Sequence, residues 1–210
     1  MPRRVAAVPT LPPSGSSVIE TGPLPSHRCK PHGFSNEFVY GYHGCSRDVA
    51  EMLLSGKDVS LNSSENDYDW LGSGIYFWEE APHRALEWAQ HKFGKDKAAV
   101  LAAKIRLGHC LNLMDVDSYE TLRQSYQNLV KHGQPLPKNG KLLHRLDCAV
   151  INAALCHAET VVKDPYDTVR CPFVEGEPVF PDSKFFDHSH IQISVRNPAA
   201  IVELKRGAFI

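Results

Sequence analysis

Three side chains with chemical potential sit among apolar neighbours in this chain: His43, Tyr76 and Gln192. An imidazole can give or take a proton near neutral pH. A phenol ring offers an electron-rich face for a planar or cationic group. A carboxamide hydrogen-bonds hydroxyls, yet it carries no charge and cannot act as a general base. Singly, each has a plainer explanation. A histidine at a strand end is more often a hydrogen-bonded structural residue, and a tyrosine in a strand usually packs. Their setting lifts them: each lies in or at the end of an aromatic or β-branched run, and the first two runs lead into helices.

The elements that must position them follow from pattern. Phe38 to His43 is aromatic and β-branched, which predicts a strand with Val39, Gly41 and His43 on one face and Phe38, Tyr40 and Tyr42 on the other. Ser46 is the expected N-cap of a helix over Arg47 to Leu54 that Gly56 stops. A polar loop over 60–73 carries Tyr68 and Trp70, aromatics that serve there as anchors or as a binding wall. Gly74 to Trp78 is the second strand, with Ile75 and Phe77 facing one way and Tyr76 and Trp78 the other. Pro82 suits the first turn of a helix over Ala81 to Phe93. Strands are expected over 98–107 and 110–114, and helices over 118–131, capped by Asp117, and over 145–157. Further strands fall over 166–173, 190–196 and 201–205. His190, Gln192, Ser194 and Arg196 share one face of the second of these, leaving Ile191, Ile193 and Val195 for the core. Helices between the early strands and mostly strands late predict an α+β fold. Residues 1–36, rich in Pro, Gly and Ser, are expected to be an unstructured or loosely docked arm ahead of a single domain over 37–210.

Composition excludes several classes. A formal net charge of −1 gives no footprint for tight nonspecific nucleic-acid binding. The six cysteines form no CxxC pair and the eleven histidines no HExxH spacing, and His188 with His190 lacks third and fourth ligands, so no metal site is expected. Scattered thiols fit a reduced, cytoplasmic protein, with a secreted effector as the second reading. No apolar run approaches the ~18 residues of a membrane span.

The runs Tyr42-His43-Gly44-Cys45-Ser46 and Gly72-Ser73-Gly74-Ile75-Tyr76-Phe77, each ahead of a helix, resemble the ADP-ribosyltransferase superfamily. The likeness is greatest to its poly(ADP-ribose) polymerase, or diphtheria-toxin-like, branch. It covers residues 38–93 well and 188–205 loosely, and leaves 94–187 unmatched. The resemblance implies a split two-sheet core around an NAD cleft in which the three segments meet. NAD would be the substrate, and ADP-ribose would pass to a protein or nucleic-acid acceptor with release of nicotinamide. The small size would suit a toxin or effector. His43 would bind the adenosine-side ribose. Gly44 would hold the nicotinamide carboxamide through its backbone, which a glycine lets approach closely. Tyr76 would stack on the nicotinamide, with Gly74 leading into its strand.

Departures from the family pattern carry consequences. Cys45 stands where many relatives have serine, which weakens a hydroxyl contact to the ribose. Arg84 takes the place of a carboxamide-contacting serine and Glu87 that of a second stacking tyrosine, which leaves Trp88 or Trp78 to supply the aromatic wall. Gln192 falls at the catalytic glutamate position, giving a His-Tyr-Gln signature. A carboxylate there stabilises the oxocarbenium-like ribose, an effect worth several kcal/mol, and glutamine does not supply it. Chain elongation is therefore not expected, whereas single transfer to an activated acceptor is. Glu79, Glu80, Glu175, Glu177, Asp182 and Asp187 are the substitute carboxylates, each more often a solvated loop charge. Placing the acid at Ser194 fits worse. The competing readings are an NAD glycohydrolase and a module that binds NAD or ADP-ribose without turnover. An RNA 2′-phosphotransferase would call for histidine in place of Tyr76.

Overall fold

A computed structural model describes residues 34–56, 60–66, 69–133, 135–140 and 143–207. The first strand, β1 (Phe34–Ser46), begins three residues inside the expected arm, and residues 1–33 lie outside the described residues, as does Tyr68. Helix α1 (Arg47–Leu54) starts where Ser46 Oγ accepts the Val49 N–H at 3.3 Å. Strand β2 (Ile75–Glu79) feeds helix α2 (Pro82–Phe93), which has Pro82 in its first turn. The two strands expected over 98–107 and 110–114 are a single strand, β3 (Ala98–Asn112). Gly108 bends it at φ +61° where a Cβ would strike the Asp167 carboxylate, so the glycine turns the strand without ending it. Helices α3 (Ser118–Lys131) and α4 (Arg145–His157) and strands β4 (Thr168–Phe173), β5 (His190–Val195) and β6 (Ile201–Arg206) complete the α+β fold. Asp117 precedes α3, but its side chain makes no capping bond; its backbone N–H instead reaches the Asp115 carboxylate at 3.2 Å.

The six strands form one mixed sheet in the order β1-β2-β5-β4-β3-β6, and β1 also pairs along β3. Only β3 and β4 run parallel. The extra pairing closes five strands into a ring of ladders. The inner face of that ring is the main core, built from Val39, Phe77, Ile105, Ile193 and Val195 among others. On the outer face, Leu111, Val169 and Cys171 of the sheet pack against Ile151 and Leu155 of α4. The β1–β2 ladder is short. It holds Gly41 opposite Glu79 and Tyr42 opposite Trp78, and goes no further.

Candidate functional site

The place where β1 and β2 part is the focus of the site. The Glu80 N–H donates to the Tyr40 carbonyl at 3.0 Å, so the two-residue strand period turns the N–H and C=O of Tyr42 and Gly44 toward β2 as well. A Gly44–Tyr76 rung would come next, and it is not formed. The Tyr76 carbonyl accepts instead from His43 Nδ1–H at 2.8 Å. Beyond it, β2 is held by the reciprocal Ser64–Gly74 bridge, with N–H···O distances of 2.8 and 3.0 Å. The result is a gap bounded by ladders at both ends and spanned by one imidazole, with the Gly44 backbone directed into it.

That bond fixes the state of His43. With Nδ1 donating, Nε2 is an acceptor, and it has no protein hydrogen-bond partner among the described residues. Burial holds the His43 pKa below its ordinary 6.5, and the nearby Lys92 charge adds to the effect against the carbonyl bond. His43 is therefore neutral at pH 7.

The three segments do not converge as side chains on one cleft face. His43 lies on the inner face, beside Gly41, with its ring 5.6 Å from Phe77. Tyr76 and Gln192 project from the outer face, where Tyr76 opposes Ser194 and Trp78 opposes Gln192. His43 and Tyr76 meet only through the Tyr76 backbone. Burial drives the Tyr76 phenol pKa upward. Its hydroxyl donates to the Gly72 carbonyl at 2.7 Å and accepts the Leu71 N–H at 3.0 Å, so it ties down the turn that leads into its own strand.

Gln192 is held from both sides. Trp70 Nε1–H donates to its Oε1 at 2.6 Å, and its Nε2–H donates to His190 Nε2 at 3.0 Å. His190 Nδ1–H in turn donates to the His188 carbonyl at 2.7 Å. Every donor in this chain points the same way, which sets the amide orientation and the imidazole tautomer together. Burial holds the His190 pKa below 6.5. Trp70 packs at a tilt on Phe173 with ring centroids 4.7 Å apart, so this loop aromatic is an anchor.

Several expected ligand contacts have structural duties. Cys45 shares the face of His43 but is covered there by α1, where it packs with Ala50 and Leu101 and burial pushes its thiol up to about 11. A Cβ on Gly44 would strike the Ala85 carbonyl and press on Trp88 and Ala89, so this glycine also lets α2 sit down on β1. A Cβ on Gly74 would collide with Ser194 Oγ, so close β2–β5 packing demands that glycine. Arg84 pairs with Glu87 and, at 2.6 Å, with Glu175, which ties α2 to the β4–β5 loop. Trp88 lies 5.7 Å from Trp78 between ring centroids, with Lys92 Nζ 4.6 Å from the Trp88 centroid. Trp78 Nε1 and Arg84 Nε are the buried side-chain polar atoms left without partners among the described residues. Two of the named carboxylates besides Glu175 are likewise committed. Glu79 forms a two-pronged pair with Arg170 on the inner face, at 2.7 and 2.5 Å. Asp187 accepts the Glu177 N–H at 3.0 Å and pairs with His188.

The sequence marks Trp70 as an anchor or binding wall and His190 as a local hydrogen-bonder at a strand start, and it gives no sign of Asn152. Asn152 Oδ1 accepts both the N–H and the hydroxyl of Ser73, at 3.0 and 3.1 Å, and fixes the Gly72-Ser73-Gly74 turn on α4. These partners are 79 and 122 residues apart in the chain, and no local pattern announces them. Among the described residues, no His, Cys, Asp and Glu cluster is placed to hold a metal ion, and no helix is long and apolar enough to cross a membrane.

The two depressed histidines give the stability a defined pH dependence. Below 6.5 the unfolded chain takes up protons that native His43 and His190 refuse. Their stabilisation is complete above 6.5 and is lost as the pH falls toward their folded pKa values. The melting temperature of His43→Asn, measured from pH 7.5 to pH 5, is expected to fall less steeply than that of wild type. Equal slopes would place His43 in an ordinary solvated environment.

The chain is 27% identical over 199 residues to an uncharacterized protein of Methanocaldococcus jannaschii, covering 78% of this chain and 85% of that protein. No family model matches the sequence. No solved structure matches it.

Proposed function

We propose that this is an ADP-ribosyltransferase-like domain that binds NAD at the β1–β2 gap and transfers ADP-ribose to a macromolecular acceptor. The observation that carries the reading is the replaced rung: His43 takes the Tyr76 carbonyl, and the Gly44 N–H and C=O face the space so created. A carboxamide needs one donor and one acceptor side by side, which a single strand residue supplies. Tyr76 offers its ring on the outer side of the gap, and neutral His43 offers Nε2 to a ribose hydroxyl. In the transfer, the glycosidic C–N bond breaks with its electron pair leaving on the nicotinamide nitrogen. The acceptor nucleophile bonds to C1′ and gives up its proton to solvent. Gln192, steadied by Trp70 and His190, orients the ribose without neutralising the developing charge.

A second reading is a module that binds NAD or ADP-ribose without turnover. It is favoured by Gln192 together with the commitment of Glu79 to Arg170 on the opposite face. Nicotinamide release from NAD, measured with and without lysate fractions or nucleic acid, separates the two. The transferase reading expects release that rises with one added fraction and drops at least ~100-fold in His43→Ala, in line with the loss of a positioning contact. Release that ignores every addition identifies an NAD glycohydrolase. An NAD-dependent rise in melting temperature with no release identifies the binding module. Neither release nor stabilisation would remove NAD from the account.

A further inference from the structure

A second cavity lies between α3 and α4, over the outer face of the sheet, with a volume of about 420 Å³. Leu113 and Cys171 line it from the sheet, Leu122 from α3, Val150 from α4, and Trp70 from the loop ahead of β2. Its size falls within the range of small-molecule sites, and its lining is of the apolar and aromatic kind such sites use. Two charged residues, Arg123 and Asp147, also border it, and each already has a partner: Arg123 pairs with Glu120 at 3.1 Å and Asp147 with His144 at 3.2 Å. Apart from these two border residues the lining is aliphatic, aromatic and Cys171. We infer that this cavity is a binding site for an uncharged apolar small molecule, and that its occupant touches the indole that orients Gln192.

The link is Trp70. Its ring borders the cavity and packs at a tilt on Phe173, while its N–H holds Gln192 Oε1 at 2.6 Å. A molecule seated against the ring shifts the indole, and the indole cannot move without disturbing the Gln192 bond. The cavity and its occupant do not depend on the NAD reading, because the binding is measured directly on the chain.

The test uses the full chain and N-phenyl-1-naphthylamine, an uncharged fluorophore. A saturable rise in its emission with one probe per chain is expected. The chain has three tryptophans, so three indole N–H signals report by NMR, and Trp70→Phe assigns one of them. The Trp70 signal is expected to move more than those of Trp78 and Trp88. Leu122→Trp fills the cavity and is expected to weaken the probe at least tenfold without lowering the melting temperature. If that variant folds poorly, Val150→Phe fills the space from the other helix with the same expected loss. Unsaturable binding, wild-type affinity in a folded filled variant, or equal movement of all three indoles would overturn the site. Probe binding that disappears as the protein dimerises at higher concentration would overturn it in favour of a second copy of the chain.

Discussion

Gln192→Glu is expected to raise nicotinamide release about 10²- to 10³-fold, the range that one well-placed charge-stabilising group supplies. The introduced carboxylate keeps the Trp70 N–H as a donor, because one oxygen takes the place of Oε1. Its second oxygen then faces His190 Nε2, which now accepts from the Gln192 amide. Two acceptors cannot share that contact, so the variant draws a proton onto His190. The His190 pKa, held low by burial in the native chain, rises beside a carboxylate in direct contact. While His190 is charged, the ion pair offsets the new negative charge. The gain in release therefore grows as the pH rises through the raised His190 pKa, and a pH–rate profile beside an imidazole titration by NMR records both effects. An unchanged rate with a raised His190 pKa would mean that residue 192 does not face the reacting ribose. An unchanged rate with an unchanged pKa would mean that the hydrogen-bonded chain is not formed.

Arg170→Ala is expected to cost about 3–5 kcal/mol, the usual penalty for stranding one member of a buried ion pair. Arg170 and Glu79 keep only 14% and 10% of their side-chain surface exposed and share two hydrogen bonds on the inner face. Removing the guanidinium leaves the Glu79 carboxylate there without its partner. For a domain of this size the loss corresponds to a fall of roughly 6–20 °C in melting temperature. The double replacement Arg170→Met with Glu79→Gln is expected to recover most of it, since the stranded charge is gone. Urea titration of the three proteins gives the comparison. A cost under about 1 kcal/mol for Arg170→Ala would mean that the pair behaves as a surface ion pair.

What the sequence showed of this molecule follows the range of its interactions. The alternation in β5 put Ile193 and Val195 in the core, because a two-residue period is local, but Ile191 is only half-buried and His190 and Ser194 on the other face are buried as well. Ser46, Gly56 and Pro82 marked helix limits for the same reason. Gly108 misled: a glycine between apolar runs looks like a break, and only its approach to Asp167 from a distant strand shows it to be a bend. At the site, the family resemblance singled out His43, Gly44 and Tyr76, and the β1–β2 gap beside them was not foreseen. Nor did the sequence show that His43 and Tyr76 point to opposite faces, since facing depends on the β1–β2 register. The Trp70–Gln192 bond joins residues 122 apart, and Cys45 looked like a ligand contact because its burial under α1 is a tertiary fact.

The strand order has a consequence for how the chain matures on the ribosome. β2, which carries Tyr76, has two rungs to β1 and its full ladder only to β5, more than a hundred positions later. β1 likewise waits for β3 before most of its backbone is paired. During vectorial synthesis β1 stays mostly unpaired until β3 is made and β2 keeps an open edge until β5, and loop closure over such separations is slow. The gap lacks its β5 side until that strand is made, so a chain cut before His190 is expected to hold β2 to the sheet by its two rungs to β1 alone.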